Sequence, residues 1–174
     1  MNKRKIRLLS LVVVMLGGLA FWQWPRRTLG DVVALYGGTD SFAVLQKADT
    51  VVAYRLSPIP VESHPETLSD FTFSKGPVSI NEELAEKLAA ALSDPYSYGW
   101  DFVKACIPTY GVRLSFEADG GTLDILLCFE CDILAIFDDG TAIGGEDFDY
   151  MRPVLVQAVQ NIFPDDVELR ALAE

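Results

Sequence analysis

Apolar residues recur along this chain with two different periods, and the change of period marks out its elements. From Asn81 to Leu92 the positions Leu84, Leu88, Ala91 and Leu92 fall on one stripe of a helix. Asn81 suits the N-cap, Glu82 and Glu83 suit the positive end of the helix dipole, and Asp94-Pro95 stops the run. Met151 to Phe163 predicts a second helix buried through Val154, Leu155, Ala158, Val159 and Ile162. Pro153 is tolerated in its first turn and Pro164 ends it, with one more short helix expected over Pro164–Glu174. Residues 28–48 read as connecting helix, broken by Gly37-Gly38. Asp40 caps the second part, which carries Phe42 and Leu45 on one side.

Period-two alternation marks the strands. Thr50 to Leu56 is alternating and β-branched. Gly111 to Phe116 puts Val112, Leu114 and Phe116 on one face, Asp119-Gly120-Gly121 is a hairpin turn, and Leu123 to Phe129 is the partner strand. Asp132 to Phe137 continues the sheet, and Asp138-Asp139-Gly140 turns again. Pro58, Pro60 and Pro65 make Ser57 to Asp70 a loop, with Phe71-Thr72-Phe73 as a short edge strand. The order predicts an α+β fold: an antiparallel β-meander with helices packed on one face.

The N-terminus obeys a different rule. Met1 to Arg7 is basic, and Leu8 to Trp24 is a run of 17 residues without a charge, closed by Pro25-Arg26-Arg27. A spanning helix needs roughly 17–25 apolar residues, so this is a signal anchor or a cleavable signal peptide. Phe21, Trp22 and Trp24 resemble an aromatic interface belt, which favours retention; Gly18-Leu19-Ala20 is the alternative cleavage site. The expected organisation is therefore residues 1–27 as a transmembrane or signal helix and residues 28–174 as one extracytoplasmic domain. The membrane is then a partner through the N-terminal helix, with secretion as the outcome if the segment is cleaved.

Charge narrows the remaining partners. From residue 28 onward the chain holds 8 basic and 25 acidic residues, a net charge of −17. Such a field repels phosphate backbones and anionic headgroups, which argues against nucleic acid and leaves a protein partner open.

Candidate chemistry centres on Cys106, Cys128 and Cys131, the last two in Cys128-Phe129-Glu130-Cys131. As metal ligands they would need a fourth donor; the chain's single histidine, His64, lies in the proline-rich loop, and Phe129 and Glu130 lack a knuckle's glycine. As a redox pair they sit on a strand beside Glu130 and Asp132, which raise a thiol pKa, instead of at a helix N-terminus. A c-type haem would require histidine where Asp132 stands. The remaining reading is one disulfide and one buried free thiol, which suits an oxidising compartment. On a regular strand Cys128 and Cys131 point to opposite faces, so Cys106 reaches one of them; the spacing leaves open which.

Cys106, Pro108, Gly111-Val112-Arg113, Asp124-Ile125-Leu126 and Cys128-Phe129-Glu130-Cys131 together resemble a pattern found in uncharacterised exported or membrane-anchored bacterial proteins. The resemblance covers about 26 residues and implies that 106–131 is one structural unit; it implies no activity. A histidine often precedes the glycine in that pattern, and Tyr110 stands there instead, which weakens any metal site the pattern implies.

Other candidates are thinner. Asp138 to Glu146 resembles a calcium loop, but aligning Gly140 with the invariant glycine places Ala135 and Phe137 at ligand positions, so the EF-hand reading fails. A looser carboxylate site would use Asp138, Asp139, Glu146 and Asp147. His64 beside Ser63 and Glu66 invites a base–nucleophile reading, and a lone loop histidine is far more often neither. Arg113 is placed to pair with Glu117 or Asp124. Tyr96, Tyr98 and Trp100 could stack on a ligand or fold back on the core. No catalytic residue and no cofactor is expected. The sequence points to a non-enzymatic interaction or scaffold module, with thiol-based redox or metal binding as the alternative.

Overall fold

The computed structural model describes residues 27–57, 66–101 and 104–173. The expected N-terminal helix and His64 lie outside them. The chain is α+β. Helices α1 (Leu29–Leu35) and α2 (Thr39–Lys47) precede β1 (Thr50–Leu56) and β2 (Phe73–Ser79); α3 (Glu82–Ser93) follows. Then come β3 (Val112–Ala118), β4 (Gly121–Cys128), β5 (Ile133–Asp138), β6 (Thr141–Asp147), α4 (Arg152–Ile162) and α5 (Val167–Arg170). The six strands form one sheet in the order β2-β1-β3-β4-β5-β6, every neighbour antiparallel.

Alternation along the strands divides the core in two. Val51 and Ala53, Val112, Leu114 and Phe116, Leu123, Ile125 and Leu127, and Leu134 and Ile136 face the helices. There they meet Val32 and Tyr36 of α1 and its C-cap, Leu45 of α2, Leu88 and Leu92 of α3, and Leu155, Val156 and Val159 of α4. Each large side chain buried here contributes about 1.5–3 kcal/mol relative to exposure. The other face carries Leu56, Leu126, Cys128, Ala135 and Phe137, and it too is buried. Among the described residues no α-helix covers it; Phe71 and Tyr110 do, together with Leu68 of the 3₁₀ turn Leu68–Asp70.

Several expectations are corrected. β2 runs six residues beyond Phe73 and contains Gly76-Pro77. That dipeptide reads as a breaker, but an edge strand needs no donor on its free side, so proline is tolerated. β6 is a strand where no element was assigned after the Asp138-Asp139-Gly140 turn, and its glycines have a packing cause. A Cβ on Gly144 would collide with the Leu35 carbonyl oxygen, so α1 can approach β6 this closely over glycine alone. Gly38, not Asp40, stands at the N-cap of α2. In α4, Val156 is buried and Val154 is 41% exposed, because the helix begins with Arg152 and its inward stripe is set by Leu155, Val159 and their neighbours.

α5 is fastened to the sheet by charge. Arg55, buried on β1, donates from Nε to Asp166 Oδ2 at 3.0 Å, bonds Glu168, and donates from Nη1 to the Gly111 carbonyl at 2.7 Å. Asp166 also caps α5, accepting from the Glu168 and Leu169 N–H groups. Burial alone would raise the Asp166 carboxyl, but the Leu169 and Glu168 N–H groups and the Arg55 guanidinium outweigh it and hold the group below its ordinary value. A depressed folded pKa contributes stability that is complete above the unfolded carboxylate range and is lost as pH falls through the folded value. Asp166→Asn is therefore expected to lower the midpoint of urea unfolding at pH 7, with the gap from the parent closing as pH drops below about 4. A pH-independent gap would contradict this account.

Candidate functional site

The three cysteines are brought together by the end of β4 and the segment leading into β3. Cys128 is the last residue of β4 and pairs in register with Ile133, so Phe129 to Asp132 form the connecting turn. Cys131 therefore lies in a turn, not on a strand, with Asp132 in the left-handed region at φ 54°. The expectation that Cys128 and Cys131 point to opposite faces fails for this reason: both enter the apolar cluster on the sheet's second face.

Cys106 and Cys131 form a disulfide, with their Cα atoms 6.2 Å apart. Cys128 is free and buried. Its sulfur accepts from the Thr109 N–H at 3.3 Å, so the segment after Cys106 is tied to β4 non-covalently as well. Beside it the Tyr110 ring packs on Phe71 and stays fully buried. Burial pushes the Tyr110 phenol up, and its hydroxyl has no hydrogen-bond partner among the described residues. A disulfide holds two of the three sulfurs proposed as metal ligands, and neither coordinates as a thiolate while oxidised. Among the described residues no group of three His, Cys, Asp or Glu side chains is arranged to hold a metal ion.

Cations brace the same turn. Lys104 donates from Nζ to the Cys131 carbonyl and to Asp149 Oδ2, each at 2.7 Å. Arg152 bonds the Asp132 carboxylate and the Phe129 carbonyl, with its guanidinium over the Phe129 ring. Burial raises the Asp147 carboxyl, which Lys104 at 3.8 Å partly offsets. These two cations hold the turn between β4 and β5. No period along the chain reveals Lys104 or Arg152 as its clamps; their signal is purely tertiary.

The other predicted residues scatter. Asp138 and Asp139 sit at the turn between β5 and β6, where Ser41 and the Thr122 N–H occupy them. Glu146 pairs with Leu134, four residues along β5 from Asp138. At about 3.3 Å per residue the two ends lie roughly 13 Å apart, so the four carboxylates share no ion. Arg113 pairs with Asp124 at 2.7 Å and not with Glu117, and its guanidinium lies over the Tyr54 and Phe73 rings. Of the aromatic loop, Tyr98 folds into the core, bonded to the Leu92 carbonyl and to Tyr36, and the Trp100 indole N–H donates to the Pro95 carbonyl. Tyr96 stays outside.

One open concavity was not foreseen. A groove of about 560 Å³ lies between the end of α2 and the flank of α3. Val51, Ile80, Ala85 and Ala89 give it an apolar floor, while Asp49, Glu82 and Glu86 against Lys47 give it a net negative rim. It forms because alanines at 85 and 89 leave α3 thin where it passes α2.

Replacing Cys106 and Cys131 by serine removes a cross-link that spans 25 residues of sequence. The expected loss is about 2–4 kcal/mol in urea unfolding, with hydrogen exchange accelerating first in residues 104–110. A variant as stable as the parent would show that the bond fastens nothing.

Comparison of the chain with protein-family models, with curated proteins and with solved structures gives no match.

Proposed function

We propose that this is a membrane-anchored extracytoplasmic domain that binds a protein partner and performs no chemistry of its own. The groove between α2 and α3 is the observation that carries the binding part. Its apolar floor and the carboxylates Asp49, Glu82 and Glu86 suit a basic amphipathic segment. The net charge of −17 from residue 28 onward favours the approach of such a partner and disfavours nucleic acid. The compartment is supported by the Cys106–Cys131 disulfide, a bond that persists where the surroundings are oxidising, and by the uncharged run Leu8–Trp24.

Thiol chemistry is the second reading, and the burial of Cys128 beneath Tyr110 and Phe71 is the observation that bears on it. A thiol with no exposed surface needs local opening before it can attack anything, which supports a packing role instead.

The binding reading is tested by titrating the full chain, in detergent, with two synthetic helices of equal length: one alternating leucine stripes with lysine, the other with glutamate. The lysine peptide is expected to bind. The Glu82→Lys/Glu86→Lys variant should weaken it at least about tenfold, the loss of roughly 1.4 kcal/mol. A control with the same change of charge, Asp119→Lys/Glu130→Lys, should bind nearly as the parent does. Equal weakening by both variants would reduce the groove to a general charge effect and overturn the reading.

A further inference from the structure

The place where the chain enters the fold is rigidly defined. Arg27 donates from Nη2 to Asp101 Oδ1 at 2.7 Å and lies over the Trp100 ring, 5.5 Å from its centroid. Thr28 and Asp31 then close a capping box at the start of α1. The 3₁₀ turn Pro95–Ser97 packs against α1 on one side and against the 3₁₀ turn Asp149–Met151 on the other. The Gly99 N–H donates to the Asp147 carbonyl at 2.9 Å, which ties this loop to the end of β6. Three separate stretches of chain are thereby packed together at one end of the molecule, and Arg27 is joined to them through Trp100 and Asp101.

That end presents apolar side chains outward. Leu29 is 54% exposed, Tyr96 69% and Tyr150 65%. Their neighbours are fixed: Tyr98 and Met151 are buried, and the Tyr96 N–H donates to Asp94 Oδ1 at 2.9 Å. The exposed rings are therefore held in place by the fold. A tyrosine couples an apolar ring to a hydroxyl, the combination favoured at the boundary between lipid and water.

Tether length supplies the partner. The uncharged run ends at Trp24, three residues before Arg27. Three residues reach at most about 11 Å even when fully extended. With Leu8–Trp24 in a bilayer, Arg27 and the side chains around it cannot leave the headgroup layer. We propose that the end bearing Leu29, Tyr96 and Tyr150 rests on the bilayer surface beside the anchor, with the two tyrosines at headgroup depth. The net charge of −17 from residue 28 onward disfavours anionic headgroups, so the surface that suits this end is zwitterionic lipid. This inference rests on the anchor reading proposed above and adds the orientation of the domain to it. The groove between α2 and α3 shares none of its lining residues with this end.

The test uses the full chain labelled with fluorotyrosine in phosphatidylcholine vesicles, some carrying a gadolinium-chelating headgroup. Tyr96→Phe and Tyr150→Phe variants assign the two signals. Tyr54 is the control: it lies on β1, four strands from β6, at roughly 19 Å by strand spacing. Loss of the Tyr96 and Tyr150 signals with gadolinium, and survival of the Tyr54 signal, is the expected result. Flotation with the vesicles after carbonate washing reports the anchor separately. A chain that floats but keeps its Tyr96 and Tyr150 signals overturns the orientation and leaves the anchor standing. A chain that does not float overturns both.

Discussion

The second face of the sheet is sealed by chain that has almost no secondary structure of its own, and one covalent bond holds that seal. Helices cover the first face with apolar stripes that pack by period. On the second face Phe71 and Tyr110 lie over Leu126, Cys128 and Phe137, Phe71 from the short link between the 3₁₀ turn Leu68–Asp70 and β2, and Tyr110 from the irregular stretch that leads into β3. Such stretches lose backbone entropy on ordering, roughly 1–2 kcal/mol per residue, with few hydrogen bonds in return. The Cys106–Cys131 disulfide shortens the loop that must be ordered, and the Thr109 N–H on the Cys128 sulfur fixes its position over β4. The free thiol is part of the same device: a small apolar atom that fills the core and accepts one hydrogen bond.

Positive charge is scarce in this acidic body and is placed where the backbone most needs it. Lys104 and Arg152 hold the turn between β4 and β5, Arg55 holds α5 against β1 and the Gly111 carbonyl, and Arg113 neutralises Asp124 inside the second face. Breaking such a half-buried pair leaves a carboxylate without a partner, which costs more than the pair contributes. The surplus of carboxylates is left at the surface. Its field attracts basic groups and repels phosphate-rich polymers.

Local pattern carried the sequence reading where elements bury one face, and failed where tertiary contact decides. Thr50–Leu56 and Asn81 as the cap of α3 are legible because alternation and capping are local rules. β6 was hidden because Gly144 serves the approach of Leu35, a residue more than a hundred positions away, and Gly145 the approach of the Leu134 carbonyl on β5. β2 was cut short at Phe73 because Gly76-Pro77 is a breaker everywhere except on an edge. The cysteines were legible as a set, but their pairing was not. It depends on Cys131 leaving the strand, and the left-handed Asp132 that makes the turn gives no periodic signal. The groove was invisible for a similar reason: alanines on a helix read as good helix formers, and their role as a floor appears only once α2 lies alongside.

The central claim is that Cys106 and Cys131 are bonded and Cys128 is not. Digestion of the unreduced protein under acidic conditions, with prior blocking of free thiols in denaturant, followed by mass spectrometry, tests it directly. The account predicts one cross-linked species joining the peptides that contain Cys106 and Cys131, with the blocking group on Cys128. A cross-link through Cys128, to either of the other two cysteines, would contradict it.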